Sequence, residues 1–331
     1  MKFQARPSQC RKAYTRFPAD HPLDAVYAEK RTFRLLAAVL ASFLIVSTAF
    51  AGELRIANAS ASAEQPARRV LEKATKEQPW QNSLGMKFVP VPGTQVLFSI
   101  WDTRVEDFRA FVDSAGYQET GGMWSLGKDG WKQLGATWDE PGFSQGPTAP
   151  VVGVSWDDAK AFCAWLTKRE RSSGALAAGM QYRLPTDQEW SVAAGLDSEA
   201  GKTPEEKDSK IKLYPWGTEW PPPGTGNYCG EESRIGNEPS DMMVIEGFDD
   251  GYPRTSPVGS FAANKNGLYD MGGNVWQWCE DWYNSEKYFR VLRGASWYVY
   301  DPERALASYR RRHLPDRRGA DVGFRCVVAA E

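Results

Sequence analysis

Apolar positions between Val105 and Leu166 recur at the three- and four-residue spacing that brings side chains onto one helical face. Val105, Phe108, Phe111 and Val112 form one stripe, and Ala159, Phe162, Cys163 and Leu166 form a second. Ahead of each stands a hydroxyl residue with an acid three positions on, Thr103 with Glu106 and Ser155 with Asp158. Thr186 with Glu189 announces a third helix that carries Trp190 inward. These pairs predict capping boxes, because the hydroxyl oxygen accepts an otherwise orphaned first-turn N–H and the acid reciprocates. Short runs at 88–91, 291–293 and 323–328 predict strands set in long connections rich in Gly, Pro and Asn. Residues 264–284, NKNGLYDMGGNVWQWCEDWYN, interleave glycines with Tyr269, Trp276, Trp278 and Trp282. That mixture predicts tightly turned backbone pinned by large buried rings. The pattern as a whole predicts an α+β domain with much irregular backbone.

The N-terminal pattern is different. A basic segment over 1–34 precedes an apolar run over 35–50 that ends in Ala49-Phe50-Ala51. This reads as a secretory signal over 1–51, cleaved after Ala51, with two alternatives that the long basic segment leaves open, a start codon placed too far upstream or an uncleaved membrane anchor. The run of about 16 residues is short against the roughly 20 that a comfortable span needs. Residues 52–78 are rich in Ala, Ser, Glu and Lys and read as a linker with a short helix over 69–75. Residues 79–331 hold every tryptophan and are enough for one sizeable core. With 40 Lys and Arg against 42 Asp and Glu, the net charge of −2 gives no overall field for nucleic acid. Export places the chain in an oxidising compartment, periplasmic, extracellular or on the envelope, where Cys163, Cys229, Cys279 and Cys326 are able to pair. Four cysteines permit three connectivities, and spacing alone does not choose among them.

The 264–284 run is followed by VLRGASW (291–297) and closed by GFRC (323–326). Upstream lie NSLGMKFVPVPG (82–93), PVVGVSWDDAKAFCAWL (150–166), YRLPTDQEW (182–190), YPWG (214–217) and TSPVGSF (255–261). In wording and order these motifs resemble the formylglycine-generating enzyme family, the sulfatase-modifying factor domain, whose fold is related to C-type lectins. The resemblance covers 79–331 and implies a disulfide between Cys163 and Cys326. It also implies two structural calcium sites. Asn227, Tyr228, Asp250 and Tyr252 match the first, the tyrosines through their carbonyls. Asp270, Gly273, Val275 and Gln277 match the second, with Gln277 where the family usually has Glu. Neutral carbonyl and amide oxygens together with carboxylates are adequate calcium ligands.

Catalytic members of the family oxidise a protein cysteine with oxygen and a copper(I) ion held by two thiolates. Those cysteines follow the GGS-type motif by three residues and a further five, which maps them onto Val299 and Arg304 after Ser296. Copper(I) is soft and prefers thiolate, so copper is not expected here; no cysteine occurs between Glu280 and Arg325. An iron site of the kind resembling ergothioneine-type sulfoxide synthases needs several histidines, and the chain has only His21 and His313. What stands in the place of the active site is aromatic and cationic: Trp276, Ser296, Trp297, Tyr300, Arg304, Arg310, Arg311 and Arg312. Guanidinium groups beside rings suit carboxylate, phosphate or sulfate. The sequence therefore points to an exported, non-catalytic binding or accessory module for a peptide or an anionic ligand. The alternative is a formylglycine-generating oxidoreductase with an atypical site.

Overall fold

The computed structural model describes residues 73–331 except 120, 121, 135, 197, 221, 223, 235–238, 240 and 241. The leader or anchor expected over 1–51, most of the linker and most of its short helix lie outside the described residues. Among the described residues no helix is long and apolar enough to cross a membrane.

Two of the three predicted helix starts are as read. In α2 (Trp156–Ser173), Ser155 Oγ accepts the Asp158 N–H and Asp158 accepts the Ser155 N–H; Thr186 and Glu189 do the same for α3 (Asp187–Ala194). The first start is corrected by one residue. α1 (Val105–Ala115) begins after Arg104, whose N–H and Nε both donate to Asp107. Thr103 does not cap it, because its own backbone N–H and C=O are bonded to Phe324 and Val151. The helix inherits the ring stripe the spacing predicted. Phe108, Phe111 and Phe162 interlock with Phe324 at centroid separations of 5.4 to 6.4 Å.

Strands β1 (Trp80–Gln81), β2 (Lys87–Pro90) and β3 (Leu97–Ser99) form an antiparallel sheet with β11 (Val327–Ala330) and β6 (Met180–Arg183), in the order β1-β2-β3-β11-β6. A second sheet has the order β10-β7-β8-β9, made of Val322–Gly323, Trp276–Trp282, Arg290–Arg293 and Arg311–His313; its β10–β7 pair is parallel. The remaining pair, β4 (Met123–Gly127) and β5 (Gly130–Leu134), is a hairpin. The α+β assignment holds, with one local correction. The WQWCEDW run is strand β7, and the tight backbone precedes it, at Asp270, Gly273 and Asn274, all with positive φ. Gly273 has no room for a side chain, since a Cβ there would meet the Asn227 carbonyl at 2.3 Å.

Candidate functional site

Strand geometry divides the three arginines that the sequence groups together. Successive side chains on a strand point to opposite faces. Arg311 lies over the Trp276 ring at 5.5 Å and pairs with Asp321 at 2.5 Å. Arg312 turns the other way, over Tyr283 at 4.7 Å. Arg310, just before β9, is 2% exposed and is a correction to the expected ligand surface. It reaches Asp187 at 2.9 Å and Glu199 at 2.6 Å, and its Nη1 donates to the Ser308 carbonyl at 2.7 Å. Arg293 from β8 joins the same Asp187 and also donates to the Ala307 carbonyl at 2.7 Å. Burial alone would push Asp187 upward, but the Arg293 and Arg310 cations hold it below the usual carboxylate range. Glu199 is lowered likewise, by its hydrogen bonds from Arg310 and Ser191 against its own burial. This quartet ties α3 to the second sheet and has no free face for a ligand.

The loop after β8 is also more internal than expected. Trp276, Ser296 and Trp297 are buried. Trp297 donates its Nε1–H to the Ala320 carbonyl at 3.0 Å, and its ring packs beneath Trp131 of the β4–β5 hairpin at 6.0 Å and under the Arg254 guanidinium at 4.5 Å. These three residues are scaffold, corrected from ligand contacts. Val299 is buried in the main core and Arg304 is exposed. Burial pushes the Tyr300 phenol up while Arg304 draws it partly back. The accessible remainder is half-buried Tyr298, Tyr300, Tyr309 and Arg311, with exposed Arg304. Tyr309 packs on Trp276 at 5.7 Å. Asp321 is a buried partner of Arg311, and a contact across ten residues between separate elements leaves no local pattern to find it by.

The first oxygen set fits a calcium ion. Asn227 Oδ1 is buried without a partner, while its Nδ2 donates to the Arg254 carbonyl at 2.6 Å. Both Asp250 oxygens accept backbone N–H groups, from Tyr228 at 2.7 Å and Tyr252 at 3.0 Å. Burial nevertheless pushes the Asp250 carboxyl up to about 7, so a nearby cation would be favourable. The second set does not fit as expected. Gln277 Oε1 accepts from Trp190 Nε1 and from Arg325 Nε, both at 2.8 Å, which uses both lone pairs. Its Nε2 donates to the Asp270 carbonyl at 2.7 Å, and the Arg325 guanidinium also bonds the Tyr269 and Asp270 carbonyls. Gln277 is therefore a core strut and not an available ligand. Gly273 and Val275 belong to the same buried turn. Among the described residues no group of three His, Cys, Asp or Glu side chains converges.

All four described cysteines are buried. Cys163 on α2 and Cys326 before β11 have their sulfurs 3.5 Å apart, as reduced thiols in this structure. Burial pushes the Cys326 thiol well up, and the adjacent Cys163 adds to this.

Residues 94–330 match the Sulfatase-modifying factor enzyme 1-like domain family. The chain is 32% identical over 221 residues to a formylglycine-generating enzyme of Thermomonospora curvata, covering 59% of this chain and 62% of that protein. It is 35% identical over 191 residues to the inactive C-alpha-formylglycine-generating enzyme 2 of Bos taurus, covering 55% of this chain and 50% of that protein. It thus spans between half and three-fifths or so of the length of these relatives. In three dimensions it is similar to PvdO from Pseudomonas aeruginosa, with a TM-score of 0.51 at 24% identity over 71% of this chain and 80% of that one. That match runs through both sheets of the domain, and the chain belongs to the Sulfatase-modifying factor enzyme 1-like domain family.

Proposed function

We propose that this chain is a non-catalytic binding or accessory module that takes a peptide or a small anionic ligand and acts outside the cytoplasm, behind an N-terminal leader or tether. One observation carries the reading. Where the family resemblance puts two copper thiolates, the chain has a buried valine, Val299, and an exposed arginine, Arg304, with one buried thiol, Cys229, beside Val299, its N–H donating to the Val299 carbonyl at 3.1 Å. One buried thiol is not the thiolate pair that holds soft copper(I), and without that metal the chain offers no evident means of activating oxygen. The relative named as inactive supports the same reading. The ligand surface in this proposal is Tyr300, Arg304 and Arg311 with Tyr298 and Tyr309, where rings and guanidinium groups suit carboxylate or sulfate oxygens. The proposal includes a structural calcium ion at Asn227, Tyr228, Asp250 and Tyr252, supported by the unpaired Asn227 Oδ1.

The test incubates the protein with copper, oxygen, reductant and a sulfatase-motif peptide carrying the target cysteine, and follows aldehyde formation by mass spectrometry. Copper(I) affinity is measured on the same sample. No aldehyde together with weak copper binding is the expected result. Turnover above a metal-only control would replace this reading with the oxidoreductase one, for which the similarity to a formylglycine-generating enzyme is the favouring observation.

A further inference from the structure

Arg318 serves the base of hairpin β4–β5 in two ways. Its carbonyl accepts the Trp124 N–H at 3.0 Å, while Ala320 donates to the Trp124 carbonyl at 2.8 Å. Its guanidinium forks onto Asp158, with Nε at 2.7 Å and Nη2 at 2.8 Å. Asp158 also accepts the Tyr117 hydroxyl at 2.6 Å and the Ser155 N–H at 2.8 Å. A second carboxylate competes for the same cation. Glu119, just ahead of β4, has a side chain only 9% exposed, and its Oε2 stands 3.7 Å from Arg318 Nε without a hydrogen bond. Its Oε1 accepts the Trp138 N–H at 3.3 Å, from the chain that leaves β5. Glu119 therefore joins the two ends of the segment that carries the hairpin.

The charges there do not balance. Around Glu119 stand Arg318 from the segment before β10, Asp158 with Asp157 at the start of α2, Asp139 after β5, Tyr117 beyond the end of α1, and Arg109 of α1, which lies over the Trp138 ring at 4.9 Å. The Arg318 Nε hydrogen is committed to Asp158. An ionised Glu119 is thus a buried carboxylate with no cation hydrogen-bonded to it, which is costly, whereas a neutral Glu119 leaves one carboxylate facing one guanidinium. Burial, helped by Asp158 and Asp139 and opposed by the Trp138 N–H and Arg318, pushes the Glu119 carboxyl up to about 7. The hairpin itself reaches the ligand surface: Trp131 of β5 lies 6.0 Å from Trp297 and 5.1 Å from Tyr298.

We propose that Glu119 is a proton-operated clasp: neutral, it holds hairpin β4–β5 closed over Trp297 and Tyr298, and on ionising it lets the hairpin loosen and uncover them. The consequence for ligand access rests on the ligand surface proposed above, while the hairpin's opening is read without a ligand, so the two fail separately. By linkage, the closed state holds the Glu119 proton more tightly than the open, solvated one. Closure is therefore most favoured below the ordinary glutamate range, weakens as pH rises to about 7, and changes no further beyond it.

Hydrogen–deuterium exchange of the full chain, read by mass spectrometry over 123–134 and corrected for the intrinsic rate at each pH, measures the opening. Protection should fall at least about tenfold between about pH 5 and about pH 8, while the amides of β2 and β3 serve as an unchanged internal reference. Glu119→Gln keeps an acceptor for the Trp138 N–H but not the charge, and should stay protected throughout. Glu119→Ala lacks both and should be less protected but equally independent of pH. Protection in the parent that is constant or rises with pH overturns the proposal. So does the same fall in either variant, which would assign the titration to Asp157, Asp158 or Asp139. Exchange of the hairpin in step with β2 and β3 overturns it as well, because the opening would then be that of the whole domain.

Discussion

Arg310→Ala should be among the most damaging single changes in this domain, although the position sits in a run that reads as a basic surface. The variant removes one of two guanidinium groups from a buried set of Arg293, Arg310, Asp187 and Glu199, whose formal charges otherwise cancel. Left behind are Asp187 with one cation and Glu199 with none, together with a Ser308 carbonyl that loses a 2.7 Å donor. Breaking a buried pair by deleting one partner costs about 3–5 kcal/mol, a large share of the roughly 5–15 kcal/mol that holds a domain together. Urea unfolding followed by tryptophan fluorescence measures this as a fall in midpoint. Exposed Arg304→Ala is the control and should stay within about 0.5 kcal/mol of the parent. The pH dependence gives a second readout. Asp187 and Glu199 are held below their unfolded values, so their contribution is complete above the ordinary carboxylate range and is lost as pH falls through the lowered native values. In Arg310→Ala, Glu199 loses its partner and its carboxyl rises, so the gap between parent and variant should narrow on acidification. A loss under about 1 kcal/mol, or a gap that widens in acid, would refute the buried-network account.

Two further outcomes follow from the geometry. Calcium should raise the melting midpoint relative to excess chelator by acting at the Asn227 set, because an ion bound only to the native state stabilises by mass action; Asn227→Ala should abolish the difference, and identical curves for the parent with and without calcium would remove the ion from that site. Non-reducing peptide mapping of exported protein should recover Cys163 joined to Cys326, a closure over 163 residues worth about 5 kcal/mol if unstrained. Both cysteines found as free thiols would refute that pairing.

What could be read from the sequence was what depends on near neighbours. The capping pairs Ser155 with Asp158 and Thr186 with Glu189 are three residues apart, and the ring stripes of α1 and α2 repeat within a turn, so their physics is written locally. The first cap slipped by one because Thr103 is claimed by Phe324 and Val151, partners more than 40 residues away. Trp276–Trp282 hid its strand character because its first four residues are all buried, which removes the alternation that marks a half-exposed strand. The arginine run misled for a similar reason. Its residues are adjacent in sequence, but Arg310 finds Asp187 across 123 positions and Arg311 finds Trp276 on another strand.

The position of β11 bears on how the domain is made. Val327–Ala330 lies inside the five-stranded sheet, bonded on one side to β3 and on the other to β6, and Phe324 just before it completes the ring cluster of α1 and α2. During synthesis β3 and β6 are both in place long before the strand that joins them exists. Until then each presents an unpaired edge, and the helices cover a core that lacks a ring. The domain must therefore close after β11 has left the ribosome, which makes the nascent chain dependent on protection from aggregation in the interval.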